Sequence, residues 1–255
     1  MKDADEHMLT IVRRIKERGC VLMLDFDGVL SPIRKNPSES QISPNVRSSL
    51  IECAKKIPLA IITGRPLADI QSRVGLRKII YAGSHGLEWK MNGKIHRKQL
   101  APRKVAAFMD ARRVLLQLAQ QYPRLLVEDK RLCLALGYRR LSKVGARQFR
   151  TAAHALLNTL PRSYSVRAVD NLYTFEIMAS SKWTKGECAE HIYKKVARRK
   201  NVATYIGDGL TDEDAFRALA KGITIRVGKG GPSAAQYYFK TRSRVDIFLR
   251  RLAAL

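Results

Sequence analysis

The chain has 255 residues, 45% of them hydrophobic, and carries 48 lysines and arginines against 22 acidic side chains, a formal net charge of +26. That length and apolar fraction suit one compact domain or a core with an insert, and exclude disorder across the whole chain. The longest apolar runs, around Val21–Leu24 and Leu59–Ile62, fall far short of the ~20 residues of a membrane helix, so no membrane partner is expected.

The opening Met-Lys-Asp-Ala-Asp-Glu-His is too acidic for a secretory or organellar leader, and Asp5–Glu17 reads as an N-terminal helix. From Val21 to about Ile80, short apolar strands alternate with amphipathic helices. Strand Val21–Leu24 leads to helix Pro44–Lys56, with Val46, Leu50, Ile51 and Ala54 on one face. Strand Leu59–Ile62, helix Pro66–Arg73 and strand Lys78–Tyr81 follow. The middle changes character: helix Pro102–Gln121, strands Leu125–Glu128 and Leu132–Leu136, then helix Val144–Leu160. Strands Ser165–Ala168 and Tyr173–Ile177 flank a hairpin turn at Val169-Asp-Asn171. The βα alternation then returns, with helix Trp183–Arg199, strand Ala203–Ile206, helix Asp212–Ala220, strand Ile223–Val227 and helix Val245–Leu252. The pattern predicts an α/β fold, a doubly wound parallel sheet formed by 1–100 and 182–255. A smaller α+β domain is inserted at 101–181.

Cys20, Cys53, Cys133 and Cys188 lie far apart with no Cys-x-x-Cys pair, which argues against zinc or a disulfide framework and for a reducing, cytoplasmic setting. The basic residues cluster at Arg13–Arg18, Lys194–Lys200 and Arg242–Arg251, all on helical patterns, and read as solvated faces that steer anions. No aromatic-basic interleaving accompanies them, so nucleic acid is not the expected partner.

Three predicted strands end in reactive residues. Val21–Leu24 runs into Asp25-Phe-Asp27-Gly28, Leu59–Ile62 into Thr63-Gly64-Arg65, and Ala203–Ile206 into Gly207-Asp208-Gly209-Leu-Thr-Asp212. In an open α/β sheet ligands bind beyond the carboxyl ends of the strands, so the three ends should meet in one crevice. Asp25, Asp27, Asp208 and Asp212 packed together repel unless a cation neutralises them, and an all-oxygen set suits Mg²⁺. A calcium loop is excluded, because Val29 and Asn36 stand where its later ligands belong. Lys185-Gly186 opens a helix and offers a positive cradle for an anion. One carboxylate facing a clamped phosphate can attack phosphorus, and a second two residues on can serve as acid and base. The chemistry indicated is phosphoester hydrolysis.

Asp25-Phe-Asp-Gly-Val, Thr63 after an apolar strand, Lys185-Gly and Gly207-Asp-Gly-Leu-Thr-Asp212 resemble the four ordered motifs of haloacid-dehalogenase-superfamily phosphatases. The resemblance implies that Asp25 is the nucleophile and that Asp27 is the general acid/base, its carbonyl also on Mg²⁺. Thr63 and Lys185 become phosphate-orienting groups, Asp208 a metal ligand, and Asp212 a support for the metal-bound waters. Within that superfamily, Ile62-Thr-Gly-Arg-Pro66, Ala82-Gly-Ser-His-Gly-Leu-Glu88, Val127-Glu-Asp-Lys130 and Thr211-Asp-Glu213 with Phe216 resemble the trehalose-6-phosphate phosphatase family. This narrower likeness implies that the insert is a substrate-recognition cap and that Arg65, His85, Glu88, Glu128, Lys130 and Glu176 bind substrate. Arg139 is a weaker candidate. The expected partner is a small-molecule sugar phosphate, the expected state a monomer, and a trehalose-phosphate synthase the protein partner the likeness suggests. The chain departs from the pattern at Gly209, Gly137 and Met178, which leaves open sucrose phosphate and glucosyl- or mannosyl-glycerate phosphate as substrates. A reading from another class, a nucleic-acid-binding protein on a degenerate phosphatase core, rests on the charge alone.

Overall fold

Five consecutive buried apolar residues cannot lie on a sheet with one wet face, and Cys20–Leu24 is such a run. In a computed structural model of the chain, describing residues 1–34, 36–161, 166–171, 173–180 and 182–255, it forms a central strand. In chain order come β1 (Lys2–Asp3), α1 (Met8–Arg18), β2 (Cys20–Leu24), α2 (Pro44–Lys56), β3 (Leu59–Ile62), α3 (Leu67–Val74) and β4 (Ile80–Gly83). The hairpin of β5 (Glu88–Met91) and β6 (Lys94–Arg97) follows. Then come α4 (Pro102–Gln120), β7 (Leu126–Asp129), β8 (Cys133–Gly137), α5 (Lys143–Thr159), β9 (Arg167–Asn171) and β10 (Thr174–Met178). The chain closes with α6 (Lys185–Val196), β11 (Val202–Gly207), α7 (Asp212–Ala218), β12 (Ile223–Val227), β13 (Tyr237–Phe239) and α8 (Ser243–Ala253). It divides into two compact units, Met1–Arg97 with Trp183–Leu255, and Lys98–Lys182.

The first unit is a nine-stranded sheet in the order β1-β13-β12-β11-β2-β3-β4-β5-β6, parallel from β1 to β4 and antiparallel through the β4-β5-β6 edge. Successive side chains of a strand face opposite ways, so each central strand feeds two cores. Leu22 and Leu24 join Leu59, Ile61 and Ile206 with α1, α2, α3 and α8, while Val21 and Met23 join Ala60, Ile62 and Tyr205 with α6 and α7. This is the doubly wound arrangement expected. The strand order reverses at β2, whose neighbours are β3 on one side and β11 on the other, and that reversal opens a crevice at their carboxyl ends.

Local chemistry sets the helix ends. The Ser43 hydroxyl accepts from the Val46 N–H, with Pro44 at the first helical position of α2. Thr184 starts α6 with a reciprocal capping box to Glu187, so the helix begins at Lys185 rather than at Trp183. It ends at Val196 rather than Arg199, because Ala197 is extended. The N-terminal helix begins at Met8, not Asp5, because the Asp3 carboxylate accepts from the Asp5 N–H and holds a turn there.

The β5–β6 hairpin was not anticipated. Its strands carry polar residues suited to a sheet edge, yet Asn92-Gly93 between them, both at positive φ, is a strong hairpin signal. β1 and β13, too short to show periodicity, were missed as well.

The second unit is an antiparallel sheet, β7-β8-β10-β9, with α4 and α5 on one face. Phe108, Ala111 and Leu115 of α4 and Phe149 and Ala153 of α5 pack on Leu134, Leu136, Phe175 and Ile177. The turn expected at Val169-Asp-Asn171 is instead the end of strand β9, which pairs Asn171 with Thr174. The β-branched Val169 and the Tyr138 hydroxyl, whose proton is shared between Asp170 Oδ1 (3.0 Å) and the Asn171 carbonyl (2.8 Å), hold it extended. The expected start of that strand at Ser165 lies outside the described residues.

All four cysteines are free, and burial pushes the thiols of Cys20 and Cys188 up to about 12 and that of Cys53 to about 11, so these are inert packing groups. Among the described residues, no helix is long and apolar enough to cross a membrane.

Candidate active site

The register of the parallel sheet aligns the reactive strand ends. Leu24 pairs with Ile206 on one side and with Ile61 on the other, so Asp25, Gly207-Asp208 and Thr63 all emerge at one end of the sheet. The Asp25 N–H donates to the Ile206 carbonyl at 2.9 Å and closes the last rung. Beyond it the chain turns tightly, with Leu30 and Ser31 N–H both donating to the Phe26 carbonyl. Gly28 in that turn has φ +77°, and a Cβ there would lie 2.0 Å from Asp208 Oδ2. Only glycine lets the loop after β2 close on the loop after β11.

Lys185, at the first position of α6, sends its ammonium to Asp25 Oδ2 (2.7 Å) and to Asp212 Oδ1 (2.8 Å). Asp25 Oδ1 accepts from the Phe26 N–H at 2.7 Å. Asp212 is saturated: Oδ1 also accepts from the Tyr205 hydroxyl (2.7 Å), and Oδ2 from the N–H groups of Asp208 (3.1 Å) and Gly209 (2.9 Å). Carboxylate oxygens of Asp25, Asp208 and Asp212 lie within 4.8 Å of one another.

One lysine against three carboxylates leaves the crevice short of positive charge. Burial, then the Asp212 charge, raise Asp25 well above the usual carboxylate range, and Lys185 offsets this only partly. Burial and Asp212 likewise push Asp208 up to about 7. Asp212 behaves oppositely: burial acts to raise it, but the Lys185 charge and the hydrogen bonds hold it low. The deficit at Asp25 and Asp208, with an all-oxygen donor set, fits a hard divalent cation.

Asp27 stands apart from this cluster. Its carboxylate is gripped by both ends of the Arg65 guanidinium, Nε to Oδ2 at 2.7 Å and Nη2 to Oδ1 at 2.8 Å. Arg65 is itself fixed by Asp69 (3.0 Å) and the Pro37 carbonyl (2.8 Å), and Asp69 by Arg73, which reaches the Ser38 and Ser40 carbonyls. Expected to touch substrate, Arg65 here spends its donors on Asp27, Asp69 and Pro37. Thr63 Oγ1 accepts from the Arg65 N–H at 3.3 Å, and its carbonyl accepts from the His85 N–H at 2.9 Å. The His85 ring lies over Gly64, where a Cβ would meet Cε1 at 2.8 Å. Ser84 and His85 both sit at positive φ, an uncommon conformation for side-chain-bearing residues, held by hydrogen bonds to the Thr63-Gly64-Arg65 turn. Glu88, at the start of β5, pairs with Arg97 across the hairpin at 2.9 Å.

In the second unit, Glu128 of β7 and Glu176 of β10 both stand opposite Ala135 of β8, so they share the sheet face away from α4 and α5. Lys130 joins them, at 3.2 Å from Glu128 and 3.3 Å from Glu176. The small alanine between them leaves room for that polar trio. Arg139 stacks its guanidinium on the Tyr173 ring, 4.4 Å from the centroid.

Sequence reading missed Tyr205, Asp69 and Arg73. The last two were visible, since Asp69 and Arg73 stand at i and i+4 within α3 and Arg65 lies four residues before Asp69, just ahead of the helix, the spacing of a helical charge ladder. Tyr205 had no such signal: it occupies an ordinary inward position of an apolar strand.

The trehalose-phosphatase family matches residues 23–242. Trehalose-phosphate phosphatase B of Arabidopsis thaliana is 30% identical over 258 residues, 95% of this chain and 68% of that protein. The trehalose-phosphate phosphatase of Mycobacterium tuberculosis (strain ATCC 25618 / H37Rv) is 31% identical over 245 residues, 92% of this chain and 62% of that protein. The chain thus spans about two thirds of the length of these relatives. Among solved structures, the C-terminal domain of the C. albicans trehalose-6-phosphate phosphatase superposes with a TM-score of 0.87 at 21% identity, covering 97% of each chain. A haloacid dehalogenase-like hydrolase from Bacteroides thetaiotaomicron does so with 0.65 at 14% identity, covering 92% of this chain and 99% of that one, a likeness of fold. A family match across both the strand-end carboxylates and the inserted unit places the chain in the trehalose-phosphatase family of phosphoric monoester hydrolases.

Proposed function

We propose that the chain hydrolyses trehalose 6-phosphate to trehalose and phosphate, with Asp25 as nucleophile and Mg²⁺ as the divalent cation. The observation that carries this is the pairing of Lys185 with both Asp25 and Asp212, beside an Asp208 carboxylate that makes no salt bridge among the described residues and whose raised pKa the Lys185 charge offsets only partly. Asp25, Asp208 and the Asp27 carbonyl would hold the cation, with Asp212 fixing the loop that presents Asp208. Bound there, the cation supplies positive charge to the carboxylates and to the phosphoryl oxygens.

The residues divide the work as follows. Asp25 Oδ forms a bond to phosphorus as the bond from phosphorus to the sugar oxygen breaks, giving an aspartyl-phosphate. Asp27, released from one Arg65 hydrogen bond and in its protonated form, donates that proton to the departing sugar oxygen, then takes one from the water whose oxygen attacks phosphorus and releases Asp25. Lys185 orients Asp25 and, together with the cation, favours its ionised form, and its ammonium, with N–H groups of the turn after Asp25, faces the charge that develops on the phosphoryl group. Arg65 sets the Asp27 carboxylate in place, and one of its two hydrogen bonds must open for Asp27 to reach the sugar oxygen.

Glu128, Lys130 and Glu176 supply a polar trio suited to sugar hydroxyls, and His85 and Glu88 add donors and acceptors on the first unit. Each hydroxyl left unpaired in a closed site costs ~1–3 kcal/mol, so such residues can select one disaccharide. The test is phosphate release from a panel of sugar phosphates, with and without Mg²⁺. Trehalose 6-phosphate should be the best substrate, and turnover should vanish with EDTA. Faster release from sucrose phosphate or a glycosyl-glycerate phosphate would move the substrate assignment while leaving the chemistry; no release from any of them would remove the enzyme reading.

A further inference from the structure

Two of the three basic clusters in the sequence lie far apart along the chain, and the fold brings them to one hollow. The hollow, about 490 Å³, is lined by Arg14 and Arg18 of α1, Tyr193 and Lys194 of α6, and Arg217 and Lys221 at and beyond the end of α7. Its floor is apolar, with Val202 and Ala203 at the start of β11 and Leu219 beside them. Since Val202 opens β11 and Asp208 lies past its end, this hollow sits at the amino ends of the strands, the opposite pole from the catalytic carboxylates.

The charge there is largely uncompensated. Glu190 is the one acid in the lining, and it is held by Lys194 at 2.9 Å. Arg217 pairs with Asp214 at 3.1 Å. Among the described residues, Arg14, Arg18 and Lys221 have no carboxylate partner. Arg14 reaches only the carbonyls of Lys221 and Gly222 (3.4 and 3.5 Å), and Arg18 only that of Lys200 (3.2 Å). Those contacts aim the two guanidinium groups at the hollow while leaving them donors to spare. Tyr193 is fixed by its hydroxyl, which donates to the Asn201 carbonyl at 2.7 Å, so its ring is a rigid wall. The volume falls in the range of small-molecule sites. Basic groups around an apolar floor suit a compact anion with several phosphates, which guanidinium and ammonium groups bind by charge-assisted hydrogen bonds.

We propose that this hollow is a second binding site, for a small molecule bearing a chain of phosphate groups, held by Arg14, Arg18 and Lys221. Inorganic polyphosphate and nucleoside polyphosphates share that chemistry; the aromatic wall and apolar floor add a place for a base.

The experiment is titration calorimetry on the full chain with tripolyphosphate and, separately, ATP, in EDTA so that the acidic crevice holds no metal–phosphate complex. The reading expects saturable one-to-one binding that weakens at least about tenfold in Arg14→Gln/Lys221→Gln. It expects no such change in Arg250→Gln/Arg251→Gln, which removes equal charge from the other basic cluster. Tighter binding of ATP than of tripolyphosphate would assign the nucleoside form, and the reverse the inorganic one. An unchanged thermal midpoint checks that each variant folds, and Arg18→Gln/Lys221→Gln replaces the first pair should Arg14 prove needed for folding. Absence of saturable binding, or equal loss in the pocket and α8 variants, would overturn the proposal in favour of diffuse surface charge. Neither result bears on the carboxylates at the other pole, so this site and the phosphatase reading stand or fall separately.

Discussion

Arg65 shows how one side chain can change its reading between sequence and structure. As part of a Thr-Gly-Arg turn it was expected to contact substrate; folded, it clamps Asp27 through two hydrogen bonds of 2.7 and 2.8 Å. The two roles separate kinetically. A substrate contact removed by Arg65→Ala would chiefly raise KM, whereas loss of the clamp on the acid/base group should lower kcat about 10- to 100-fold with little change in KM. Steady-state kinetics on the variant decide between them, and a large KM effect at constant kcat would return Arg65 to the substrate. Among the residues proposed as catalytic or metal-holding, Asp25, Lys185, Asp208 and Asp212 were legible because each follows a strand end or opens a helix, positions that chain patterning reveals. The Asp27–Arg65–Asp69–Arg73 network was half legible: its helical spacing was there, but which acid Arg65 would choose depends on a turn 38 residues earlier in the chain.

At the scale of elements, the site is built by two loops that touch and one helix that starts at a fixed residue. Gly28 permits the touch. Gly28→Ala puts a Cβ where Asp208 Oδ2 now lies and a side chain at φ +77°, so it should lower turnover at least about tenfold and stability by ~1–3 kcal/mol. Phosphate release and thermal unfolding measure both, and wild-type turnover would show that the two loops need not meet. Thr184 fixes the start of α6 and thereby the place of Lys185; Thr184→Ala should cost ~1 kcal/mol by removing the cap, read by chemical denaturation. A variant as stable as the wild type would mean that packing of Cys188 and Ile192 alone sets that end. Long strands and helices were legible from periodicity. The strands at and beside the two sheet edges, β1 and β13 on one side and β5 and β6 on the other, were not, because two to four residues carry no period; for β5–β6 the signal lay in the Asn92-Gly93 turn alone.

At the scale of the whole molecule, the chain consists of a parallel core that carries the carboxylates and an inserted unit that carries Glu128, Lys130 and Glu176. This division suggests that chemistry and sugar selection are separable. Lys130→Ala should raise KM for the disaccharide phosphate about tenfold, the loss of a charged hydrogen bond, while leaving hydrolysis of a small aryl phosphate unchanged. Equal loss on both substrates would assign Lys130 to the folding of the insert instead. The helix-hairpin doubling of the insert could be read from the chain, since its helices are long and its inward strand positions apolar. The joining of two distant basic clusters into one hollow could not, because each alone looks like a solvated helix face.

The most direct test of the central claim is transfer of labelled phosphate from substrate to protein, quenched in acid and mapped by peptide. The account predicts label on Asp25 of the wild-type chain in the presence of Mg²⁺, and neither label nor turnover in Asp25→Asn with its fold intact. Phosphate release by Asp25→Asn above about one tenth of wild type, or label on any other residue, would contradict it.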